Sequence, residues 1–447
     1  MALKITVIGT GYLGATHAAA MAELGFEVLG LDVVPEKIEM LQRGEVPMYE
    51  PGLEELLAKH VAGIEGSSGR LRFTMDWAEV AAFGDVHFVC VNTPQKHGEY
   101  ACDMSYVDAA FASLAPHLTG PALVVGKSTV PVGSAERLGR TLVELAPAGE
   151  DVELAWNPEF LREGFAVQDT LHPDRIVAGV RSERSEKLLR EVYATPMAEG
   201  SPFVITDFPT AELVKTAANS FLATKISFIN AMAEVCEAAG GDVVKLAEAI
   251  GYDDRIGKKF LRAGIGFGGG CLPKDIRAFM ARAGELGADQ ALTFLREIDS
   301  INMRRRGQMV EMTREALGGG SFLGKRIAVL GATFKPDSDD VRDSPALNVA
   351  GQIHLQGGQV TVYDPKGMDN ARRLFPTLAY AETAAEAVRG AHAVLHLTEW
   401  REFRELDPAV LGEAVTDRVV LDGRNALDPA VWRAAGWTYR AMGRPAA

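Results

Sequence analysis

Cys271 is the side chain best suited to covalent chemistry, because it ends the glycine-rich run Gly266-Phe267-Gly268-Gly269-Gly270. The following Pro273 suits the first turn of a helix, so the thiol is predicted to lie where a loop becomes a helix. A helix N-terminus and the neighbouring ammonium of Lys274 both favour the thiolate, which is the nucleophilic form of cysteine. A nucleophile that forms covalent intermediates is one interpretation of this segment, and a buried structural cysteine is the other.

The other three cysteines give no sign of such chemistry. The chain has four cysteines in 447 residues, without a C-x-x-C pair, which argues against a disulfide framework or a zinc site. Cys90 lies in an apolar run and Cys236 in an alanine-rich segment, so both are predicted to be small buried hydrophobes. We therefore expect no metal and a reducing, cytoplasmic location.

Two carboxylates, Glu159 and Glu163, lie four residues apart after a predicted strand end. If this segment is helical, the spacing places both on one face. Such a pair can position a water molecule and accept its proton. The alternative is a charged helix start that interacts with the helix dipole.

Lys215 and Asn219 form a second pair with helical spacing, within a proline-free segment from Ala211 to Ala239. An ammonium and an amide on one helix face can stabilise an oxyanion. A lysine on a helix is more often a solvated surface residue, and the residues alone favour that interpretation.

A dinucleotide site is predicted at Gly9-Thr10-Gly11-Tyr12-Leu13-Gly14, which follows a β-branched run and precedes a helix of small residues. Gly9 permits the tight turn, Gly11 lets the pyrophosphate approach, and Gly14 allows close packing of helix on strand. Asp32 closes the next predicted strand, where it would bind a ribose 2′-hydroxyl and repel a 2′-phosphate. NAD is therefore predicted over NADP, with Lys37 tempering the charge, and a glycine turn without a cofactor is the alternative.

Thr93 and Thr129 follow later predicted strands, at the sheet edge where such folds bind ligands. Both are candidates for cofactor contacts, and ordinary turn capping is the alternative. The strand candidates of this region are Lys4–Ile8, Glu27–Leu31, Val86–Val91, Ala122–Lys127, Glu153–Ala155 and Asp174–Ala178.

The elements around these residues predict an α/β fold with two Rossmann-like doubly wound domains, joined by a helical middle domain with a long connecting helix. The opening pattern of the chain returns at Lys325, where Lys325-Arg326-Ile327-Ala328-Val329-Leu330-Gly331 again places a strand before a glycine. The predicted domains are residues 1–205 for NAD, 206–318 for the helical middle domain with Cys271, and 319–447 for the second Rossmann-like domain.

Composition excludes several classes of partner. With 46 basic and 60 acidic side chains the net charge is −14, so no broad positive field exists for nucleic acid. No run of 18 apolar residues occurs, and the chain starts directly in a strand pattern. We therefore expect neither a membrane partner nor a secretory signal.

Motifs in a fixed order resemble the UDP-glucose 6-dehydrogenase family over nearly the whole chain. They are GTGYLG, STVPVG, NPEFLREG, the helix with Lys215 and Asn219, FGGGCLPKD, FKPDSDDVRDSP and LDGRN. Among the sister enzymes that oxidise GDP-mannose or UDP-N-acetylmannosamine, the run REGFA followed by HPDRIV is similar to the UDP-glucose branch. Gly270 departs from the serine or tyrosine common before the cysteine.

The resemblance implies that UDP-glucose is oxidised to UDP-glucuronate by two NAD in succession, through a thiohemiacetal and a thioester on Cys271. It implies that Lys215 and Asn219 stabilise negative charge, that Asp275 and Glu159 with Thr129 manage the water, and that Glu163 lies near the nicotinamide. Tyr12, Leu13, Lys274 and Arg342 are implied as further cofactor contacts.

The resemblance also implies that residues 319–447 form the UDP-sugar-binding domain. It implies a homodimer or larger homo-oligomer, in which Arg255 is similar to a residue that reaches across the interface. The implied substrate contacts are Glu159, Phe160, Leu161, Arg162, Glu163, Lys215, Asn219, Arg255, Phe260, Leu261, Arg262, Ala263, Gly264, Gly268, Phe334, Lys335 and Arg424.

Three alternatives stay open at this point. A sister nucleotide-sugar dehydrogenase would share the mechanism, and a two-electron 3-hydroxyacid or 6-phosphogluconate type dehydrogenase would share the layout but have no use for Cys271. A non-catalytic sensor of NAD or nucleotide sugar would keep the fold without the chemistry.

Overall fold

The computed structural model describes residues 3–445, which divide into two compact units. The first unit extends to Ala218 and includes Arg277–Glu285, and the second contains Asn219–Ile276 and the chain from Leu286 onward. None of the helices in this part of the chain is both long and apolar enough to cross a bilayer.

The first unit is built on an eight-stranded sheet in the order β3-β2-β1-β4-β5-β6-β7-β8. Neighbouring strands are parallel, except that β6 and β7 meet in an antiparallel pair at Trp156 and Gly179. The strands are β1 (Lys4–Ile8), β2 (Glu27–Leu31), β3 (Leu71–Thr74), β4 (Val86–Val89), β5 (Ala122–Gly126), β6 (Val152–Trp156), β7 (Ile176–Gly179) and β8 (Phe203–Thr206).

Helices cover both faces of this sheet, which is why central strands such as β4 and β5 are buried along their whole length. Alternate residues of β1 enter different cores, with Ile5 and Val7 in one and Ile8 in the other. The helices are α1 (Tyr12–Glu23), α2 (Pro35–Gln42), α3 (Leu53–His60), α4 (Trp77–Phe83), α5 (Ser105–Leu114), α6 (Ser134–Leu145), α7 (Ala166–Leu171), α8 (Glu183–Val192) and α9 (Ala194–Ala198).

Four helices form the middle of the chain. The 32-residue α10 has Pro209 in its first turn and contains no other proline and no glycine, which favours an unbroken helix. Both α10 and α12 run from one unit into the other. The four are α10 (Phe208–Ala239), α11 (Val243–Gly251), α12 (Leu272–Glu285) and α13 (Thr293–Ala316).

The second unit contains a parallel six-stranded sheet in the order β11-β10-β9-β12-β13-β14, the same order of crossovers as the first six strands of the chain. The strands are β9 (Arg326–Leu330), β10 (Gln359–Tyr363), β11 (Ala379–Tyr380), β12 (Ala393–His396), β13 (Val419–Asp422) and β14 (Thr438–Ala441). The helices that connect these strands are α14 (Pro345–Leu355), α15 (Met368–Leu374), α16 (Ala384–Val388), α17 (Arg401–Arg404), α18 (Pro408–Ala414) and α19 (Pro429–Ala434).

These observations confirm the predicted α/β fold with two doubly wound sheets and, between them in the sequence, a helical segment with a long helix. The six predicted strands all occur, while the short β3 and β8 were missed. The exact boundaries at residues 205 and 318 stay predictions.

Candidate active site

Cys271 lies immediately before α12, as the sequence predicts. Its carbonyl oxygen accepts a 2.8 Å hydrogen bond from the backbone N–H of Asp275, which is the first bond of the helix. Cys271 is therefore the N-cap residue, and its side chain is exposed. This position places the sulfur near the positive end of the helix dipole, which favours the thiolate.

Asn219 and Asp275 lie beside this thiol-bearing turn in the second unit. Nδ2 of Asn219 donates a 2.6 Å hydrogen bond to Oδ2 of Asp275, and both side chains are buried. Nζ of Lys274 lies 3.1 Å from the other carboxylate oxygen of Asp275. The structure thus brings together three of the residues predicted around Cys271.

The glycine-rich loop before Cys271 is held by hydrogen bonds rather than loosely extended. Asn302 of α13 accepts a bond of 2.7 Å from the backbone N–H of Phe267 and donates one of 3.0 Å to its carbonyl. Arg424 donates to the carbonyl of Gly266 at 2.9 Å, and Asn230 accepts from the N–H of Gly264 at 2.9 Å. The loop therefore presents Cys271 from a fixed backbone.

Gly266 explains why this loop needs glycine. Its φ of +90° lies in the left-handed region, and an added Cβ would stand 2.3 Å from Oδ1 of Asn302. Any other side chain at this position would collide with the residue that anchors the loop.

In the first unit, Lys215 and Glu159 form an ion pair with 3.8 Å between Nζ and Oε2. Lys215 is 7% exposed, and its ammonium lies 5.6 Å from the centre of the Phe160 ring. The surface-lysine alternative is therefore wrong for this residue. Because Asn219 follows Lys215 by one turn of α10, the two belong to the same helix face.

The predicted helix through Glu159 and Glu163 is wrong. Residues 157–165 form a loop, and α7 begins only at Ala166. Pro158 lacks an N–H, and Gly164 adopts a φ of +80°, so the backbone does not continue as a helix between them. The two carboxylates consequently do not share a helix face.

The dinucleotide turn has the predicted geometry, although α1 begins at Tyr12 rather than Ala15. An added Cβ at Gly14 would stand 1.8 Å from the carbonyl oxygen of Gly9, and one at Gly9 would stand 2.7 Å from Val91. These two glycines allow the helix to pack directly on the turn. The contact fits a cofactor whose pyrophosphate binds at the helix N-terminus.

Asp32 follows β2 and is buried at the edge of this turn. It accepts bonds from the N–H of Thr10 at 2.8 Å and from Nζ of Lys37 at 2.8 Å. Burial alone would raise the pKa of Asp32, but these bonds outweigh it, so that its pKa lies below the usual range. The carboxylate is ionised at neutral pH and Lys37 tempers its charge as predicted.

Thr93 and Thr129 are linked rather than independent. The hydroxyl of Thr93 donates a 2.8 Å bond to the backbone carbonyl of Thr129, which ties the loops after β4 and β5 together. The cavity nearby, with a volume of about 310 Å³, is lined by Pro131, Arg137 and Arg282 among others.

Glu50 is a positioning residue that the sequence did not reveal. Its carboxylate accepts bonds from the N–H groups of Gly164 at 2.6 Å and Ala166 at 2.7 Å, and from the hydroxyl of Tyr12. Burial and the hydrogen bond to Glu50 raise the pKa of Tyr12 above its usual value. Glu50 therefore joins the dinucleotide turn to the loop that carries Glu163.

The basic residues implied for substrate and cofactor have local acidic partners. Arg162 pairs with Asp169, Arg255 with Asp253, and Arg342 with Asp340, each at 2.6 Å. Lys335 lies 5.4 Å from the ring of Phe334.

The apolar residues implied as substrate contacts differ in exposure. Phe260 has a left-handed φ of 64°, and Leu161 is half-buried. The buried ones are Leu261, Ala263, Gly264 and Gly268.

Two doubly wound sheets, a dinucleotide turn with an ionised Asp32, and an exposed cysteine at a helix start are features of the class of NAD-dependent dehydrogenases. In the described part of the chain, no cluster of three histidine, cysteine or acidic side chains could hold a metal.

Comparison with known proteins agrees with this class. Three models of the UDP-glucose/GDP-mannose dehydrogenase family match the chain, with the NAD binding domain at residues 3–197, the central domain at 209–304 and the UDP binding domain at 328–429. The chain therefore belongs to the UDP-glucose/GDP-mannose dehydrogenase family, and NAD is its cofactor.

Full-length relatives and solved structures give the same family. The chain is 42% identical to UDP-glucose 6-dehydrogenase of Rhizobium meliloti (strain 1021), covering 99% of this chain and 100% of that protein. It is 38% identical to UDP-glucose 6-dehydrogenase YwqF of Bacillus subtilis (strain 168), covering 99% and 98%.

Two solved structures resemble the fold closely. A UDP-glucose dehydrogenase from Pyrobaculum islandicum matches with a TM-score of 0.87 and 37% identity, covering 95% of both chains. A UDP-N-acetylmannosamine dehydrogenase from Pyrococcus horikoshii matches with a TM-score of 0.86 and 27% identity, covering 100% of both.

Proposed function

We propose that the chain oxidises UDP-glucose to UDP-glucuronate, with consumption of two NAD and one water. The observation that carries the proposal is Cys271 at the start of α12, beside the hydrogen-bonded pair Asn219 and Asp275. Two-electron dehydrogenases of the same layout need no such thiol. The higher identity to the UDP-glucose enzymes than to the sister enzyme of Pyrococcus horikoshii supports the choice of sugar.

The chemistry explains why a thiol is needed. Oxidation of the primary alcohol gives an aldehyde, and the Cys271 thiolate adds to its carbonyl carbon to form a thiohemiacetal. Loss of a hydride from that adduct gives a thioester, and water then cleaves it to the acid and regenerates the thiol. NAD accepts the hydride of each oxidation. The covalent adduct prevents escape of the aldehyde.

The polar residues supply the charges and protons of this scheme. Lys215 and Asn219 stabilise the oxyanion of each tetrahedral stage, and such a donor typically contributes about 3 kcal/mol to catalysis. Asp275, Glu159 and Thr129 position the hydrolytic water and take its proton. Glu163 lies near the nicotinamide in this proposal.

Substrate profiling tests the choice of sugar. We expect kcat/KM for UDP-glucose to exceed that for GDP-mannose and for UDP-N-acetylmannosamine, measured as NADH formation with each sugar in turn. A higher value for either competitor would transfer the proposal to that sister activity. Absence of turnover with every sugar, together with retained binding of NAD or of a nucleotide sugar, would favour a sensor.

A homodimer is proposed from the exposed face of α10. Phe221, Phe228 and Val235 are exposed and repeat every seven residues, so they form one apolar stripe. Burial of this stripe against a second copy would remove it from water. Light scattering should give the mass of a monomer for Phe228→Asp. The control Phe294→Asp, which changes an exposed residue of α13, should keep the mass of the dimer.

The remaining assignments belong to the same proposal. The three domains are residues 1–205, 206–318 and 319–447, and the implied cofactor and substrate contacts act as the family resemblance describes. The net charge of −14 supports a protein without a nucleic-acid partner, and buried thiols at Cys90 and Cys236 support a cytoplasmic location.

A further inference from the structure

Glu399 is a carboxylate that the catalytic scheme does not use, although it lies among cations of the second unit. It follows β12, at the carboxyl edge of the second sheet. Its Oε1 lies 3.4 Å from Nη1 of Arg262, and its Oε2 lies 3.5 Å from Nε of Arg424. Oε2 is buried and accepts no hydrogen bond from the described residues. Charge, rather than directed hydrogen bonding, therefore holds this side of the carboxylate.

The two arginines differ in how firmly they are fixed. Arg424 is 11% exposed and donates to the carbonyls of Leu397 at 2.7 Å, Gly266 at 2.9 Å and Phe334 at 3.1 Å. Arg262 is 66% exposed, and its contact with Glu399 is long. The guanidinium of Arg424 is thus held in one position, whereas Arg262 can exchange its partner at little cost in free energy.

The other charged groups near Arg424 have partners of their own. Arg306 pairs with Asp343 at 2.7 Å, and Asp422 accepts from His396 at 3.0 Å and from backbone N–H groups. Burial lowers the pKa of Arg424, and Glu399 is the strongest influence in the opposite direction. Glu399 is therefore the carboxylate that balances Arg262 and Arg424.

We propose that Glu399 lowers the affinity for the nucleotide diphosphate, because its carboxylate pairs with Arg262 and repels the phosphates. This inference rests on the proposed function, since it takes UDP as the ligand of the region that matches the family's UDP binding domain. A like charge beside an anion site weakens binding and speeds dissociation. The expected benefit is faster release of the UDP-linked product.

Calorimetric titration with UDP tests the proposal on the full chain. We expect Glu399→Gln to bind UDP about three- to tenfold more tightly than wild type, with a gain that shrinks as salt is added. The matched control is Glu402→Gln, which changes the net charge equally on the exposed surface of α17. It should bind UDP as wild type does.

A double-mutant cycle identifies the cation involved. Arg262→Gln should weaken UDP binding, and Glu399→Gln should give little gain in that background. Equal or weaker binding by a Glu399→Gln variant with wild-type melting would overturn the proposal. If Glu399→Gln does not fold, Glu399→Asp replaces it in the titration. The shorter side chain withdraws the carboxylate from Arg262, so this variant should also bind UDP more tightly than wild type. Equal or weaker binding by Glu399→Asp would again overturn the proposal.

The outcomes separate this inference from the proposed function. A wild-type chain that oxidises UDP-glucose while Glu399→Gln gains no affinity contradicts the inference alone. A wild-type chain that does not bind UDP contradicts both.

Discussion

The side-chain amide of Asn219 is 2.6 Å from the carboxylate of Asp275, a hydrogen bond that joins α10 to the first turn of α12. Both side chains are buried, and Asp275 also supplies the N–H that bonds to the carbonyl of Cys271. An amide nitrogen carries a second N–H, which in the proposed function donates to the oxyanion. In that proposal the pair links orientation of the Cys271 nucleophile to stabilisation of negative charge.

Replacement of this amide by an acid should make catalysis pH-dependent. In Asn219→Asp two carboxylates face each other, so that the pKa of one rises and the pair holds a proton only at lower pH. We expect kcat about 100-fold below wild type at pH 8, with the deficit shrinking as the pH falls. A ratio of variant to wild-type kcat that is constant with pH would contradict this.

Loss of Glu50 should affect cofactor use more than a simple loss of stability would. Glu50→Ala leaves the N–H groups of Gly164 and Ala166 without their acceptor, which costs about 2 to 4 kcal/mol of unfolding free energy. The loop carrying Glu163 should shift, raising KM for NAD about tenfold. The control Asp76→Ala removes an exposed N-cap of α4 and should cost only about 1 kcal/mol, with KM unchanged.

Two glycines with the same backbone angle separate strain from collision. Gly63 and Gly266 both have φ +90°, but an added Cβ meets nothing within 4 Å at Gly63 and meets Asn302 at Gly266. Gly63→Ala should cost about 1 kcal/mol of unfolding free energy, whereas Gly266→Ala should cost about 3 kcal/mol or more and lower kcat. Denaturant melts provide the comparison, and equal costs would argue against a fixed loop.

Buried histidine should destabilise the first unit in acid. Burial lowers the pKa of His87 to about 4. Below about pH 6.5 the unfolded chain therefore binds a proton at this residue, whereas the folded chain does not bind it until the pH approaches 4. Stability should therefore fall as the pH drops from 7 to 5, by about 2 kcal/mol for this residue. Burial likewise lowers the pKa of His17 well below its usual value. His87→Leu should flatten the dependence, and an unchanged slope would refute the assignment.

Much of the fold was predictable because local sequence patterns, such as β-branched runs and glycine turns, coincide with the buried strands and tight turns of the structure. The β-branched runs are buried on both faces, and the glycines at Gly9 and Gly14 allow a contact that no other residue permits. The repeat of that pattern at Lys325 predicts the second sheet, whose six strands have the same order as the first six strands of the chain.

The remainder depends on contacts between distant segments, which spacing cannot reveal. Glu159 and Glu163 have helical spacing, yet Pro158 and Gly164 impose a loop that Glu50 holds from more than a hundred residues away. Lys215 resembles a surface lysine in its segment, but the fold buries it beside Glu159. Three arginines implied as ligand contacts pair with acidic residues close by in the sequence, and a pattern of cations alone does not reveal these ion pairs. They are Arg162, Arg255 and Arg342.

The proposed four-electron oxidation through a thioester on Cys271 fixes the yield of NADH per UDP-glucose. With limiting UDP-glucose and excess NAD, we expect the wild-type chain to form two NADH per sugar without accumulation of free aldehyde. Cys271→Ser should lose full turnover without loss of melting temperature. One NADH per sugar, or full turnover by Cys271→Ser, would rule out the thioester route.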